Sequence, residues 1–144
     1  TYKKKSIFLH EIATTLIDNN CIVPNDRKFL ESLPGVGRKT VNVFLSNIYN
    51  EPFIAVDTHV ERVSKRLGIA KEKDNVYQVE KKLEKKISKE KRARAHHQLV
   101  LFGRYHCKAI KPNCINCKLK DICKNKTNIV EAFSKNSVFS FTIL

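Results

Sequence analysis

Apolar residues recur along this chain at intervals of three and four, the period of a helix with one buried face, and almost never in strict alternation. The pattern predicts a helix over residues 3–18, with Phe8, Leu9, Ile12, Ala13 and Leu16 on one face and Asn19-Asn20 as its end. Pro24-Asn25 reads as the start of a short helix reaching about Ser32. After Leu33-Pro34-Gly35-Val36-Gly37, a helix runs from about Arg38 to Tyr49, with Val41, Phe44, Leu45 and Ile48 on one stripe. Glu51-Pro52 breaks it. The apolar run Phe53–Val56 finds no partner strand and reads as a buried extended connector. A helix from Thr58 to Leu67 turns Val60, Val63 and Leu67 inward and stops at Gly68. Asp74 is placed as the cap of a helix carrying Val76, Val79, Leu83 and Ile87. A last long helix, about 90–106, leads into Cys107. The expected fold class is all-α, without internal repeats.

Charge adds a partner to this picture. The chain has 144 residues, with 28 Lys+Arg against 14 Asp+Glu, a net charge of +14. That excess points to a polyanion, nucleic acid first and an acidic membrane surface second. No apolar run approaches the roughly 20 residues that span a bilayer, so insertion is not expected. Within 81–94, Lys81, Lys82, Lys85, Lys86 and Lys89 alternate with acidic and apolar positions and read mainly as a solvated helix face. His96-His97 reads as a packed pair rather than a ligand set. The chain opens at Thr1, not Met, inside what reads as helix, so a preceding N-terminal part is expected, with any targeting signal it carries.

Four of the five cysteines fall within 17 residues, spaced C-x6-C-x2-C-x5-C: Cys107, Cys114, Cys117 and Cys123. Cys21 stands far away. A lysine-rich chain without a secretory segment suits a reducing, intracellular compartment, where grouped cysteines hold metal more often than they pair as disulfides. Structural zinc and an iron–sulfur cluster both take four thiolates, and the spacing by itself leaves both open.

The segment Leu33–Thr40 joins two helices through Pro-Gly-Val-Gly. Gly35 and Gly37 are expected to permit positive φ and close approach of another surface. The helix behind them offers N–H groups and a positive dipole end, which suits a phosphate. An ordinary helix–helix turn is the other reading, and the turn alone does not decide.

Taken together, Leu33-Pro-Gly-Val-Gly-Arg-Lys-Thr40, Ala55-Val56-Asp57-Thr58-His59, Arg62-Val63, Gly103-Arg104-Tyr105 and the cysteine spacing closely resemble the helix-hairpin-helix DNA glycosylases, in their endonuclease III branch. The resemblance covers about residues 1–126. It implies the later part of a helical barrel with the hairpin over 1–52, a helical domain ending in the cluster loop over 53–126, and a C-terminal tail over 127–144. It implies one [4Fe-4S] cluster per chain on Cys107, Cys114, Cys117 and Cys123.

The implied activity is excision of oxidised pyrimidines from duplex DNA, then strand cleavage at the abasic site by β-elimination. Reaching the base requires turning it out of the stack. Lys39 matches the nucleophile, an amine at the positive end of a helix dipole that forms a Schiff base with the sugar once desolvated. Asp57 matches the catalytic carboxylate. The related adenine-mismatch glycosylases typically lack a lysine here, so Lys39 implies the bifunctional type. Leu33, Gly35, Val36, Gly37, Arg38 and Thr40 would meet DNA at the hairpin, and Lys108 and Lys111 at the cluster loop. A monomer in the cytoplasm or nucleoid is expected. The family's first helices have no counterpart here, and a non-catalytic DNA-binding module is the alternative.

Overall fold

Every regular element among the described residues is helical, as the apolar spacing predicts. The structure, a computed structural model, describes residues 2–125; the expected tail at 127–144 lies outside them. The helices are α1 (Tyr2–Asp18), α2 (Arg27–Ser32), α3 (Arg38–Ile48), α4 (Thr58–Arg66), α5 (Val76–Lys86) and α6 (Arg92–Tyr105), with a single 3-10 turn at Lys89–Lys91 before α6. They fall into two compact units, Thr1–Ala55 and Val56–Leu144.

In the first unit Leu30, Leu33, Val41 and Leu45 form the core, with Ile12, Val23, Phe29, Val36, Phe44 and Phe53 packed against them. Helix α1 buries no residue fully. Phe8, Ile12 and Leu16 are half-buried, but Leu9 and Ala13 are exposed, so the inward stripe is narrower than predicted. Helix α2 has six residues, too few to persist by propensity. It is fixed by its cap and by Leu30. The cap is Asp26, not Pro24-Asn25: its carboxylate accepts the N–H groups of Lys28 at 2.8 Å and Phe29 at 3.4 Å.

On α3 the expected stripe fails at Ile48, which is 62% exposed at the helix end. Asn42 takes an inward place instead. Its Oδ1 accepts from Arg27 Nη2 at 2.6 Å and its Nδ2 donates to the Ile54 carbonyl at 3.4 Å, so one buried amide ties α2, α3 and the connector. The Arg27 guanidinium also lies 4.5 Å from the centre of the Phe53 ring. Ile54, Ala55 and Val56 are buried and belong to neither helix nor strand, as expected of a buried connector.

In the second unit Val60 and Val63 of α4 are fully buried, and Gly68, at φ 73°, stops the helix in the left-handed region. Asp74 does not cap α5. That task falls to Asn75, in a reciprocal box with Gln78 at 2.9 and 3.0 Å. Asp74 turns inward, accepting from the Lys82 ammonium and from the Lys71 N–H at 2.6 Å, and these bonds hold its carboxyl below the usual value. Lys81, Lys85, Lys86 and Lys89 are exposed, so most of the lysine run is the solvated face predicted for it. Val79 and Leu83 are buried, whereas Val76 is exposed in the first turn. The Arg92 side chain donates to the carbonyls of Glu84 at 2.6 Å and Ile87 at 3.2 Å, tying α6 to the end of α5. The rings of His96 and His97 meet edge to face at 5.3 Å. Among the described residues no helix is long and apolar enough to cross a membrane.

Helices α4 and α6 meet most closely at Gly103. A methyl group there would stand 2.9 Å from His59 Cβ, 3.1 Å from Val63 Cγ2 and 3.2 Å from the His59 carbonyl oxygen. Alanine improves helix propensity by about 1 kcal/mol, but overpacking costs about 1–3 kcal/mol, and a backbone oxygen cannot swing aside. Gly103→Ala is therefore predicted to lower the melting temperature in a calorimetric scan. An unchanged or higher midpoint would contradict the contact.

Candidate DNA interface and cysteine centre

The hairpin between α2 and α3 is built by its own residue types. The Val36 N–H donates to the Leu33 carbonyl at 3.1 Å, closing a four-residue turn with Pro34 second and Gly35 third. Gly35 stands at φ 73°, the type II geometry that glycine takes without strain. Phe8 packs on this turn, and a methyl at Gly35 would lie 2.5 Å from its ring. Leu33 is in the core, so it anchors the turn from within.

Gly37 departs from expectation. Its φ is −103°, ordinary extended backbone, so conformational freedom does not explain a glycine here. Nor does internal crowding, because an added methyl would meet nothing within 4 Å. As the N-cap of α3, Gly37 supplies no side-chain acceptor, and the first turn holds no acidic residue. No side-chain cap and no acidic residue therefore compensates the amide dipoles at this end. Arg38 and Val36 are half-buried; Lys39 and Thr40 are exposed.

Asp57, in the second unit, is half-buried and caps α4. Its Oδ1 accepts the Val60 N–H at 2.7 Å, which fixes the carboxylate's orientation and leaves Oδ2 outside that bond.

Beyond α6, Cys107, Cys114, Cys117 and Cys123 line one cavity, with Phe102, His106, Pro112 and Leu119 among its walls. All five cysteines are free thiols. Among the described residues no three His, Cys, Asp or Glu side chains converge as a site for a single metal ion. Burial pushes the Cys114 thiol up, and the neighbouring Cys107, Cys117 and Cys123 push the same way, with Arg66 opposing.

Two arginines of α4 hold this loop. Arg62 donates to the Gly103 carbonyl at 2.7 Å and the Cys107 carbonyl at 3.1 Å. Arg66 donates to the carbonyls of Lys108 at 2.7 Å and Ala109 at 3.2 Å, and its Nη1 lies 3.4 Å from Cys107 Sγ. The Arg66 carbonyl in turn accepts the N–H groups of Lys124 and Asn125, just past the last cysteine. Lys108 and Lys111 remain exposed, Lys111 at φ 50°. Sequence reasoning noticed Arg62 only through the resemblance and passed over Arg66 and His106. A basic residue two turns into a helix carries no local sign of the carbonyls it will reach.

The family model described as HhH-GPD superfamily base excision DNA repair protein matches residues 1–89. Endonuclease III of Bacillus subtilis (strain 168) is 51% identical over 124 residues, 85% of this chain and 57% of that protein. Endonuclease III of Escherichia coli (strain K12) is 49% identical over 114 residues, 79% of this chain and 54% of that one. Among solved structures, a trapped endonuclease III–DNA covalent intermediate in an estranged-adenine complex matches with a TM-score of 0.85 and 48% identity, over 90% of this chain and 61% of that chain. A non-covalent endonuclease III–DNA complex matches at 0.86 over the same shares. This chain thus spans a little over half the length of those two relatives. The matched family model, the identities and the shared helical geometry agree: the chain belongs to the HhH-GPD superfamily of base excision DNA repair proteins, in its endonuclease III branch.

Proposed function

We propose that this chain carries the DNA-gripping and nucleophilic parts of a bifunctional DNA glycosylase and abasic-site lyase acting on duplex DNA with oxidised pyrimidines or abasic sites. The observation that carries this reading is the uncapped start of α3. An exposed lysine stands there behind a glycine whose missing side chain serves nothing inside the protein. Phosphate against the first-turn N–H groups satisfies the dipole, and Gly37 lets the backbone approach. Lys39, covered by the bound duplex, loses its water and attacks C1′ as the neutral amine. The C1′–N bond to the base breaks, and the base leaves with that electron pair. The aminal so formed opens as the C1′–O4′ bond breaks, O4′ keeping the electron pair and taking a proton, to give an iminium that acidifies the C2′ proton; loss of that proton expels the 3′ phosphate and cuts the strand. One of the similar solved structures is a trapped covalent intermediate of endonuclease III with DNA, the kind of linkage an amine at Lys39 would form.

Asp57 is the carboxylate that takes the amine proton and offsets the cation developing on the sugar. The cap bond to Val60 N–H keeps it from turning away. Thr40, Arg38 and Val36 extend the hairpin contact, and Lys108 and Lys111 meet phosphates from the cysteine loop. Cys107, Cys114, Cys117 and Cys123 fit one [4Fe-4S] cluster. All four line one cavity, and their C-x6-C-x2-C-x5-C spacing, which resembles that of the endonuclease III branch, supports the cluster over zinc. When bound, the cluster supplies a cross-link that fixes the loop, and no bond of the reaction is made or broken on it. The protein acts as a monomer inside the cell.

Borohydride trapping on abasic-site duplex tests the nucleophile. The full chain should yield a covalent adduct, and Lys39→Gln should abolish both adduct and nicking while binding falls only slightly. An adduct at wild-type yield from Lys39→Gln would sink the assignment, and no adduct from the parent chain would favour the non-catalytic DNA-binding module. Asp57→Asn, which can still cap α4, should slow base excision by roughly 10²-fold or more and affect pre-formed abasic sites less.

The hairpin makes a separate prediction. Gly37→Ala should cost less than about 1 kcal/mol of folding stability, yet weaken duplex binding roughly tenfold through lost backbone approach to a phosphate. Affinity of both proteins should fall steeply with salt. Undiminished binding by Gly37→Ala, or a flat salt profile, would remove the hairpin from the interface.

A further inference from the structure

One buried polar atom has no use in the reaction as proposed. Nε2 of His106 is shut off from solvent and has no hydrogen-bond partner among the described residues. The ring cannot easily turn to find one. It stacks on Phe102, with centroids 5.1 Å apart and planes at 19°. The backbone on either side is fixed as well, the His106 N–H donating to the Phe102 carbonyl at 3.0 Å and its carbonyl accepting the Asn113 N–H at 3.1 Å. Native proteins rarely leave such a group unmatched, because its desolvation is then uncompensated. His106 lines the same cavity as the four cysteine sulfurs. Thiolate and sulfide sulfurs accept hydrogen bonds but cannot donate them, which selects the tautomer carrying the proton on Nε2.

We propose that His106 donates its Nε2–H to a sulfur of the iron–sulfur cluster, thiolate or sulfide, and thereby raises the cluster's reduction potential. This rests on the cluster reading given above. The four cysteines already complete the cluster's ligand set, so His106 is a donor to it and not a ligand. A hydrogen bond to sulfur withdraws electron density and favours the more reduced, more negative state, one of the levers that sets cluster potentials. Arg66, with Nη1 3.4 Å from Cys107 Sγ, adds a cationic neighbour on the helix that holds the loop.

The test uses the full chain, purified anaerobically as wild type, His106→Phe and His106→Gln. Phenylalanine keeps the stack on Phe102 without the donor, and glutamine places an amide N–H at a similar reach. Iron and acid-labile sulfide should be present at four each per chain in all three. Protein-film voltammetry should give a lower midpoint potential for His106→Phe, with His106→Gln returned toward wild type. Resonance Raman spectra of wild type should show iron–sulfur modes that shift in D2O, and the shift should vanish in His106→Phe. Equal potentials and equal D2O shifts in wild type and His106→Phe, at full iron loading, would overturn the proposal. Loss of iron from both variants with helicity retained would make His106 a ligand and overturn it too. Wild-type protein holding zinc without iron or sulfide would instead refute the cluster reading, a result visible before any potential is measured.

Discussion

Two guanidinium groups on one short helix organise the second half of this protein. Arg62 and Arg66, four residues apart and so on one face of α4, take up the carbonyls of Gly103, Cys107, Lys108 and Ala109. The Gly103 carbonyl is one that the end of α6 leaves without a helical partner, and the other three belong to the loop beyond it. Water cannot hold such a loop in one shape, whereas planar, charged donors in fixed forks can. Gly103 permits this by letting α6 approach α4 closely enough for the side chains to reach. The same helix starts at Asp57, whose carboxylate is fixed by the first turn. One rigid element of nine residues thus carries the candidate carboxylate at one end and the cysteine loop at the other.

In the first unit one helix starts without a side-chain cap. Asp26 and Asn75 show how this chain normally caps a helix, with side-chain oxygens on first-turn N–H groups. At α3 it uses glycine instead and puts arginine and lysine, not acids, in the first turn. That choice is unfavourable for an isolated helix, and under the proposed reading a bound phosphate offsets it. The cost is carried by the core beneath, where Leu30, Leu33, Val41 and Leu45 pack with the Asn42 amide tying the elements together.

Much of this was legible in the sequence, and the parts that were not share a physical reason. Helix periods and the hairpin's punctuation are local, and each led to the right element. The α5 cap was misplaced by one residue because Asp74 and Asn75 are both good caps; the Asn75–Gln78 box was readable, and the pull of Lys82 on Asp74 was not. Leu9, Ala13 and Ile48 fit a helical stripe yet face solvent, since periodicity gives a direction but not the width of the surface it meets. Positive φ was expected at both hairpin glycines and is needed only at Gly35. Arg66 and Asn42 depend on partners brought near by folding, so no pattern along the chain announces them.

Amide hydrogen exchange on Arg66→Met tests the organising role of α4 most directly. Methionine keeps the apolar stem and helix propensity but offers no donor to the carbonyls of Lys108 and Ala109. Protection reports local opening, so the amides of Cys107, Asn113 and Cys114 should exchange faster than in wild type while those of α3 and α5 are unchanged. Unaltered protection across residues 107–114 would show that the loop holds its shape without the arginine, and would contradict the account.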